Sequence, residues 1–378
     1  MSNPPAVATL PSVEIDLDAV CANYRMLAAA APGAETAAVV KCDGYGLGAG
    51  PIARALAARE KCRTFFVTYP HEGAALRAAL GDIARDAVIY VFNGPDLDSL
   101  AAFQRHALTP VLNSIAQAEF WSRTGAGSPA ALHVDTGMNR LGAPAEDLGA
   151  IAALGLDLDL VMSHLACASA RDDAMNERQR IAFERSAALF PNIRRSLAAS
   201  GGALLGAAYH YELIRPGLAL YGVGPFDIPD PRIRPVATLT APVIQLRDIK
   251  TGETAGYGAT WKARSAARLA TVTLGYGDGF PRSGANRATA LLGGAPCPIA
   301  GRVSMDLIIL DVSKAPQPVE IGDRAEFFGS RVRIEDAAAA CGTIGYELLT
   351  GLGARVLRRY VSNGALGIDE RRAEGSPR

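Results

Sequence analysis

From about Ala37 to Gly222 the sequence repeats one pattern: a short apolar run closing on polar or glycine residues, then an alanine-rich stretch of helical composition. Such alternation marks βα units, in which each strand is covered by the helix that follows it. The runs close near Val40-Lys41, Val67, Val91-Phe92, Val111-Leu112, Val134-Asp135, Ser163-His164, Ala199-Ser200 and Leu220-Tyr221. These eight runs match the number that closes a (β/α)8 barrel of TIM type, so the expected class is α/β with an N-terminal barrel. Past Arg234-Pro235 the texture changes to short β-prone runs broken by glycine, at Leu269 to Leu274, Cys297 to Ile299, Leu307 to Val312 and Arg324 to Phe328. The expected division is a barrel over 1–235 and a C-terminal mostly-β domain over 236–378. Inside the second, one helix beginning at Glu335-Asp336 and a closing strand near Arg355-Val356 are expected. The early strand Val13 to Leu17 precedes the barrel by a helix over Ala19 to Ala30, which makes residues 1–18 candidates to pair with the β domain.

Charge narrows the ligand. Lys plus Arg and Asp plus Glu number 38 each, so no net field draws the chain to nucleic acid or anionic lipid, and a small molecule is the default ligand. With 49% hydrophobic and 20% charged residues, the chain can bury a large core and is too apolar for disorder. No basic leader with a long apolar run opens the sequence, and no stretch reaches the roughly 20 apolar residues of a membrane span. A cytoplasmic location is expected. Cys21, Cys42, Cys62, Cys167, Cys297 and Cys341 form no Cys-x-x-Cys pair, and His71, His106, His133, His164 and His210 lack helical metal-ligand spacing. Neither a disulfide framework nor a metal is expected.

Active sites of such barrels gather at the C-terminal ends of the strands. There, Lys41 closes the first run ahead of the turn Asp43-Gly44-Tyr45-Gly46-Leu47-Gly48. An amine at an apolar barrel mouth loses solvation, which lowers its pKa and favours the neutral nucleophile that forms a Schiff base. From position alone, a surface lysine in an ordinary ion pair is the alternative. The glycines are no P-loop, because the lysine precedes them.

The run Ala38-Val39-Val40-Lys41-Cys42-Asp43-Gly44-Tyr45-Gly46-Leu47-Gly48 resembles the pyridoxal-phosphate lysine motif of the alanine racemase family. The resemblance continues through His133 to Gly142, Ser163 to Ala168, Ile214 to Gly222, Gly256 to Trp261, Gly275 to Arg282, Gly301 to Asp306 and Thr343 to Glu347. It covers nearly the whole chain in family order. It implies a pyridoxal 5'-phosphate-dependent racemase that interconverts L-alanine and D-alanine by a two-base mechanism, either supplying D-alanine for peptidoglycan or catabolising it. Racemisation needs a proton removed from one face of Cα and returned to the other. By the resemblance Lys41 serves the D face and Tyr257 the L face, with His164 and Arg215 in line behind the phenol.

Arg215 would face the pyridine nitrogen, and a guanidinium does not hand over its proton, so the ring would be a weaker electron sink. For Arg215 an ion pair to Glu212 is the alternative. The phosphate would be held by Tyr45, Ser200, backbone N–H groups at Gly217 and Leu218, and Tyr346. The substrate carboxylate would be held by Arg140, which also touches the cofactor phenolic oxygen, and by the backbone N–H of Met305. Tyr276, Arg282, Arg302 and Asp306 would line the mouth. The tyrosine matching Tyr257 reaches in from a partner's β domain, which implies a head-to-tail homodimer with two composite sites.

Three positions depart from the family pattern. His133 stands where many members carry a carbamylated lysine that fixes the arginine matching Arg140, so Arg140 is expected to be held by a bound anion, a neighbouring side chain or His133 itself. Ala199 replaces an asparagine before Ser200, and Ser169 replaces an acidic residue at the entrance. A racemase of broader specificity, serine included, is the nearer alternative, since one methylene is worth only about 1–3 kcal/mol to a pocket. A non-catalytic pyridoxal phosphate carrier would need the barrel alone, and a cofactor-free aldolase is remote.

Overall fold

The computed structural model describes residues 9–125, 127–226, 228–363 and 365–370. These fall into two compact units, one within Val20–Phe226 with Asp230–Arg234 and the other of the described residues 9–19, 228–229, 235–363 and 365–370. The strands, in chain order, are β1 (Ser12–Asp16), β2 (Glu35–Thr36), β3 (Ala38–Val39), β4 (Thr64–Val67), β5 (Val88–Val91), β6 (Thr109–Leu112), β7 (Ala130–His133), β8 (Leu158–Met162), β9 (Arg194–Ser196), β10 (Leu213–Ile214), β11 (Ala237–Ile249), β12 (Thr254–Ala255), β13 (Trp261–Lys262), β14 (Ala267–Val272), β15 (Thr289–Leu292), β16 (Ala295–Pro298), β17 (Ile308–Asp311), β18 (Arg324–Phe328), β19 (Leu357–Ser362) and β20 (Ala365–Glu370).

In the first unit β3 to β9 form a parallel sheet in sequential order, and β10 pairs in parallel with β2. Backbone bonds close the ring: Glu35 N–H to Glu212 O (2.9 Å), Ala37 N–H to Ile214 O (2.9 Å), Val39 N–H to Pro216 O (3.0 Å), Glu212 N–H to Arg195 O (3.2 Å) and Arg215 N–H to Ala198 O (2.8 Å). The result is an eight-membered barrel whose first member is β2 and β3 together. Strands covered on both faces must be apolar throughout, and Phe65, Phe66, Val67, Ile89, Tyr90 and Val91 are all buried. Helices fill the intervals, among them the alanine-rich Ala49–Arg59 and the more polar Ala174–Ala187, the latter capped by Asp173 accepting from Met175 N–H at 2.8 Å.

Two strand positions differ from the sequence reading. The seventh strand ends at Ser196, and Ser200 instead opens a short helix, Ser200–Ala203. The eighth is Leu213–Ile214, whereas Leu218–Tyr221 is a 3-10 turn. Pro216 explains the second shift: lacking an N–H, it cannot carry the ladder onward into the apolar Leu218-Ala219-Leu220 run.

The second unit is built on β11, whose 13 residues were not anticipated as one strand. Irregularities in its pairing between Leu239 and Thr240 and between Val243 and Gln245 flank Pro242 and let β11 serve β18 and β14 in turn. β1 lies antiparallel to β11 and parallel to β19, so this N-terminal strand is part of the β sheet. The single helix expected at Glu335 is two, Ile334–Cys341 and Gly345–Thr350, because Gly342 terminates the first in a left-handed cap (φ 70°). The closing strand falls at Leu357–Ser362.

Candidate active site

Lys41 opens a turn of left-handed backbone directly after β3: Cys42, Asp43, Gly44 and Tyr45 have φ of 53°, 51°, 60° and 55°. Left-handed geometry costs about 1–2 kcal/mol for each non-glycine residue, so this turn is held by its surroundings rather than by preference. Asp43 Oδ1 accepts from Ala49 N–H at 3.0 Å, and Glu72 Oε1 accepts from Cys42 N–H at 2.6 Å. On the strand side the buried Tyr221 hydroxyl donates to Val39 O at 2.8 Å. The Lys41 ammonium lies 5.7 Å from the Phe92 ring centre. Burial, reinforced by the Arg140 charge, holds this amine below the ordinary lysine range, while Glu72 and Cys42 act in the opposite sense.

The same turn brings Tyr45 against the end of the barrel. Its ring packs on Tyr221 with centroids 4.6 Å apart. A Cβ on residue 217 would stand 2.3 Å from the Tyr45 hydroxyl, so only glycine admits it. Ser200 Oγ accepts from Gly217 N–H (3.1 Å) and Ala219 N–H (3.2 Å). A phenol, a hydroxyl and the backbone of Gly217-Leu218-Ala219 thus gather where two strand ends meet, with the Gly217 and Ala219 amides bonded to Ser200 Oγ; these are groups of the kind that cradle a phosphate.

Lys41, Arg140, Arg215 and His133 all act on His164. Arg215 is 2% exposed; it donates to Ser163 O at 2.5 Å and to Ser196 Oγ. The Glu212 ion pair considered from sequence is absent at Arg215, for Glu212 pairs with Arg195 at 2.6 Å. Burial lowers the Arg215 pKa to about 9, which leaves it a cation at neutral pH. Desolvation, with the charges of Arg215 and Arg140, pushes His164 down to about 3. Desolvation and Arg215 push His133 down to about 4. Both imidazoles are neutral. His133 Nδ1 lies 2.9 Å from Asn113 Oδ1. Asn113 Nδ2 donates to Phe92 O and Val111 O, both at 2.8 Å, so its oxygen must accept and His133 carries its proton on Nδ1. Asn113 is therefore the residue that His133 Nδ1 engages. Arg140 is exposed in the loop after β7, which Asp135 shapes by accepting from Gly137, Met138 and Asn139 N–H.

Tyr257, Met305 and Tyr346 belong to the β unit and are exposed on it, Tyr257 at 73%. Tyr257 starts a 3-10 turn between Gly256 (φ 72°) and Gly258 (φ 73°), the latter close against the Arg302 guanidinium. Met305 is fixed through its carbonyl, which accepts from Gly277 N–H at 2.8 Å. Arg355 reaches Asp306 at 2.7 Å and buried Asp278 at 3.0 Å, bracing the same loop. The sequence reading missed Glu72, Asn113, Tyr221 and Arg355. For Glu72 a signal existed: an acidic residue two places after Pro70 at a helix start is a capping pattern.

Among the described residues no helix is long and apolar enough to cross a membrane, and no group of His, Cys, Asp and Glu is arranged to hold a metal.

Comparison with known proteins gives one answer for both units. The family model for the alanine racemase N-terminal domain matches residues 15–225, and that for the C-terminal domain matches residues 236–360. An alanine racemase of Methylobacterium nodulans is 46% identical over 361 residues, spanning 93% of this chain and 96% of its own. A catabolic alanine racemase of Agrobacterium fabrum is 43% identical over 360 residues, 93% of this chain and 92% of its own. The crystal structure of alanine racemase from Bartonella henselae with covalently bound pyridoxal phosphate superposes with a TM-score of 0.88 at 35% identity, covering 93% of this chain and all of that one. The biosynthetic alanine racemase of Pseudomonas aeruginosa gives 0.87 at 35% identity over 94% and 100%. Barrel, β domain and lysine turn together define a pyridoxal-phosphate-dependent amino-acid racemase. Within that class, the chain belongs to the alanine racemase family.

Proposed function

We propose that this chain binds pyridoxal 5'-phosphate through Lys41 and racemises alanine with Lys41 Nζ and the hydroxyl of Tyr257 as the two bases. The observation that carries the reading is the joining of two features on one turn. An amine of lowered proton affinity stands four residues before a tyrosine whose hydroxyl meets Gly217 so closely that no side chain fits there. Tyr45, Ser200 and the amides of Gly217 and Leu218 are the residues that would hold the phosphate, joined by Tyr346. When bound, the cofactor supplies an electron sink for the carbanion at Cα.

The chain's own groups do the rest. Lys41 Nζ holds or returns the proton on the D face, and a lowered pKa raises its share of free amine, the form that acts as a base. Tyr257 Oη does the same on the L face, with His164 and Arg215 behind it. Neutral His164 can accept a hydrogen bond from the phenol, whereas Arg215, a cation with donors only, cannot take its proton. Toward a ring nitrogen, Arg215 offers donors without transferring one. Arg140 and the Met305 N–H hold the substrate carboxylate. We assign Tyr257 to the partner subunit's β domain, making the working unit a head-to-tail homodimer with two composite sites. A cytoplasmic setting goes with this reading, as do the six cysteines, all free thiols.

The test is solvent-deuterium exchange at Cα from each enantiomer, on wild type and Tyr257→Phe. The Phe variant should lose exchange from L-alanine far more than from D-alanine. Equal loss from both enantiomers would remove the two-face assignment.

A further inference from the structure

Glu72 serves backbone donors on two separate loops. Its Oε2 accepts from Thr68 N–H (2.7 Å) and Tyr69 N–H (3.1 Å), which is ordinary capping of the helix Pro70–Leu80 that follows β4. Its Oε1 accepts from Cys42 N–H (2.6 Å), which is not capping, because Cys42 belongs to the turn after β3. One carboxylate therefore stitches the strand end that carries Lys41 to the next strand end in the barrel. The stitch falls on the first residue of the left-handed run, where φ changes sign to 53°. Inside the run, Gly44 N–H reaches Val40 O and Gly46 N–H reaches Cys42 O. Tyr221 fixes Val39 O on the near side of Lys41 and Glu72 fixes Cys42 N–H on the far side.

We propose that Glu72 is a positioning residue for the cofactor lysine: it locks the left-handed turn that aims Lys41 and Tyr45, and its negative charge balances the cationic surroundings of the amine. This rests on Lys41 being the cofactor lysine. The charged and titratable groups acting on that amine are Arg140, Glu72, Cys42 and His164, from four different loops of the barrel mouth. Glu72 is the carboxylate among them. A carboxylate is required because both oxygens must accept: the amide of a glutamine would turn its NH2 toward one of the backbone donors.

The test uses cofactor-free wild type, Glu72→Gln and Glu72→Asp, with pyridoxal phosphate as the probe. Condensation of the Lys41 amine with the aldehyde, releasing water, is followed by the growth of visible Schiff-base absorbance against pH. The rate rises as the amine loses its proton, so the midpoint reports the Lys41 pKa. Glu72→Gln should weaken pyridoxal phosphate binding about tenfold and move the midpoint down by about one pH unit, as expected for removing a nearby opposite charge. Glu72→Asp keeps the charge but is too short to span both loops. It should weaken binding by a similar factor with the midpoint close to wild type.

A residue that merely caps its helix would move the midpoint through its charge and leave pyridoxal phosphate binding at the wild-type level. Wild-type binding in Glu72→Gln overturns the proposal, whatever the midpoint does. Should that variant fail to fold, wild-type binding in Glu72→Asp overturns it instead. If borohydride reduction of the wild-type adduct labels no Lys41 peptide, the cofactor assignment falls first and this proposal with it. Labelling of Lys41 with unaltered Glu72 variants sinks the present inference alone.

Discussion

Acid should destabilise the barrel through His133, and the size of the effect follows from its surroundings. His133 is 7% exposed at the end of β7, with Nδ1 committed to Asn113 and the Arg215 charge nearby. Its pKa falls from an ordinary 6.5 to about 4. Between these values the unfolded chain carries a proton on this ring that the folded chain refuses, so unfolding takes up protons and stability drops as pH falls. The loss sets in below about pH 6.5, amounts to about 2 kcal/mol between pH 7 and pH 5, and levels off near 3 kcal/mol once the folded ring also titrates. His133→Gln removes the titration and keeps a donor for Asn113 Oδ1. Urea unfolding of the cofactor-free protein at pH 7, 6 and 5 measures the slope of stability against pH for each form. Asp159 and Asp278, whose raised pKa values act oppositely, are present in both proteins and cancel in the comparison; His164, which shifts in the same direction chiefly through burial and Arg215 with a smaller part from His133, is common to both. The variant should lose about 2 kcal/mol less than wild type across that range. Equal slopes would show that His133 takes a proton as readily in the fold as out of it, and the assignment of a neutral Nδ1–H ring would be wrong.

Two further outcomes follow from the site. Gly217→Ala sets a methyl 2.3 Å from the Tyr45 hydroxyl and 3.0 Å from its Cζ, and Tyr45 cannot retreat freely because Tyr221 backs it. Overpacking of this kind costs about 1–3 kcal/mol, so pyridoxal phosphate affinity, measured by absorbance titration, should fall by about 5- to 150-fold; unchanged affinity would exclude this contact as part of the phosphate cradle. Dilution until sedimentation shows monomers should abolish racemisation while borohydride still traps cofactor on Lys41, and an active monomer would refute the composite site.

Which parts of this molecule could be read from its residues follows from how far each constraint reaches along the chain. Burial on both faces of a parallel strand forces a local apolar run, so β4 to β8 are visible as Phe65-Phe66-Val67 or Leu160-Val161-Met162. β10 is two residues long and owes its place to bonds with β2 and with the segment after β9, partners far away in sequence. The more apolar Leu218-Ala219-Leu220 run draws the eye instead, and Pro216 is the local sign against it. The site divides in the same way. Lys41, Tyr45 and Gly217 are legible because their chemistry needs those residue types: an amine, a phenol, and a residue without Cβ where the phenol approaches. Glu72 and Asn113 are ordinary polar residues at strand and helix ends, and their importance arises from whom they meet after folding. Glu72 lies 30 residues from Cys42, and Asn113 lies 20 from His133. The substitution at His133 shows why this matters. Read alone, an imidazole in place of a charged side chain looks like a lost anchor for Arg140. In the fold, Asn113 orients that imidazole through two backbone carbonyls, so the barrel holds a neutral ring of fixed tautomer beside Arg215. Its Nε2 lone pair is thereby kept as an acceptor in surroundings dominated by cations.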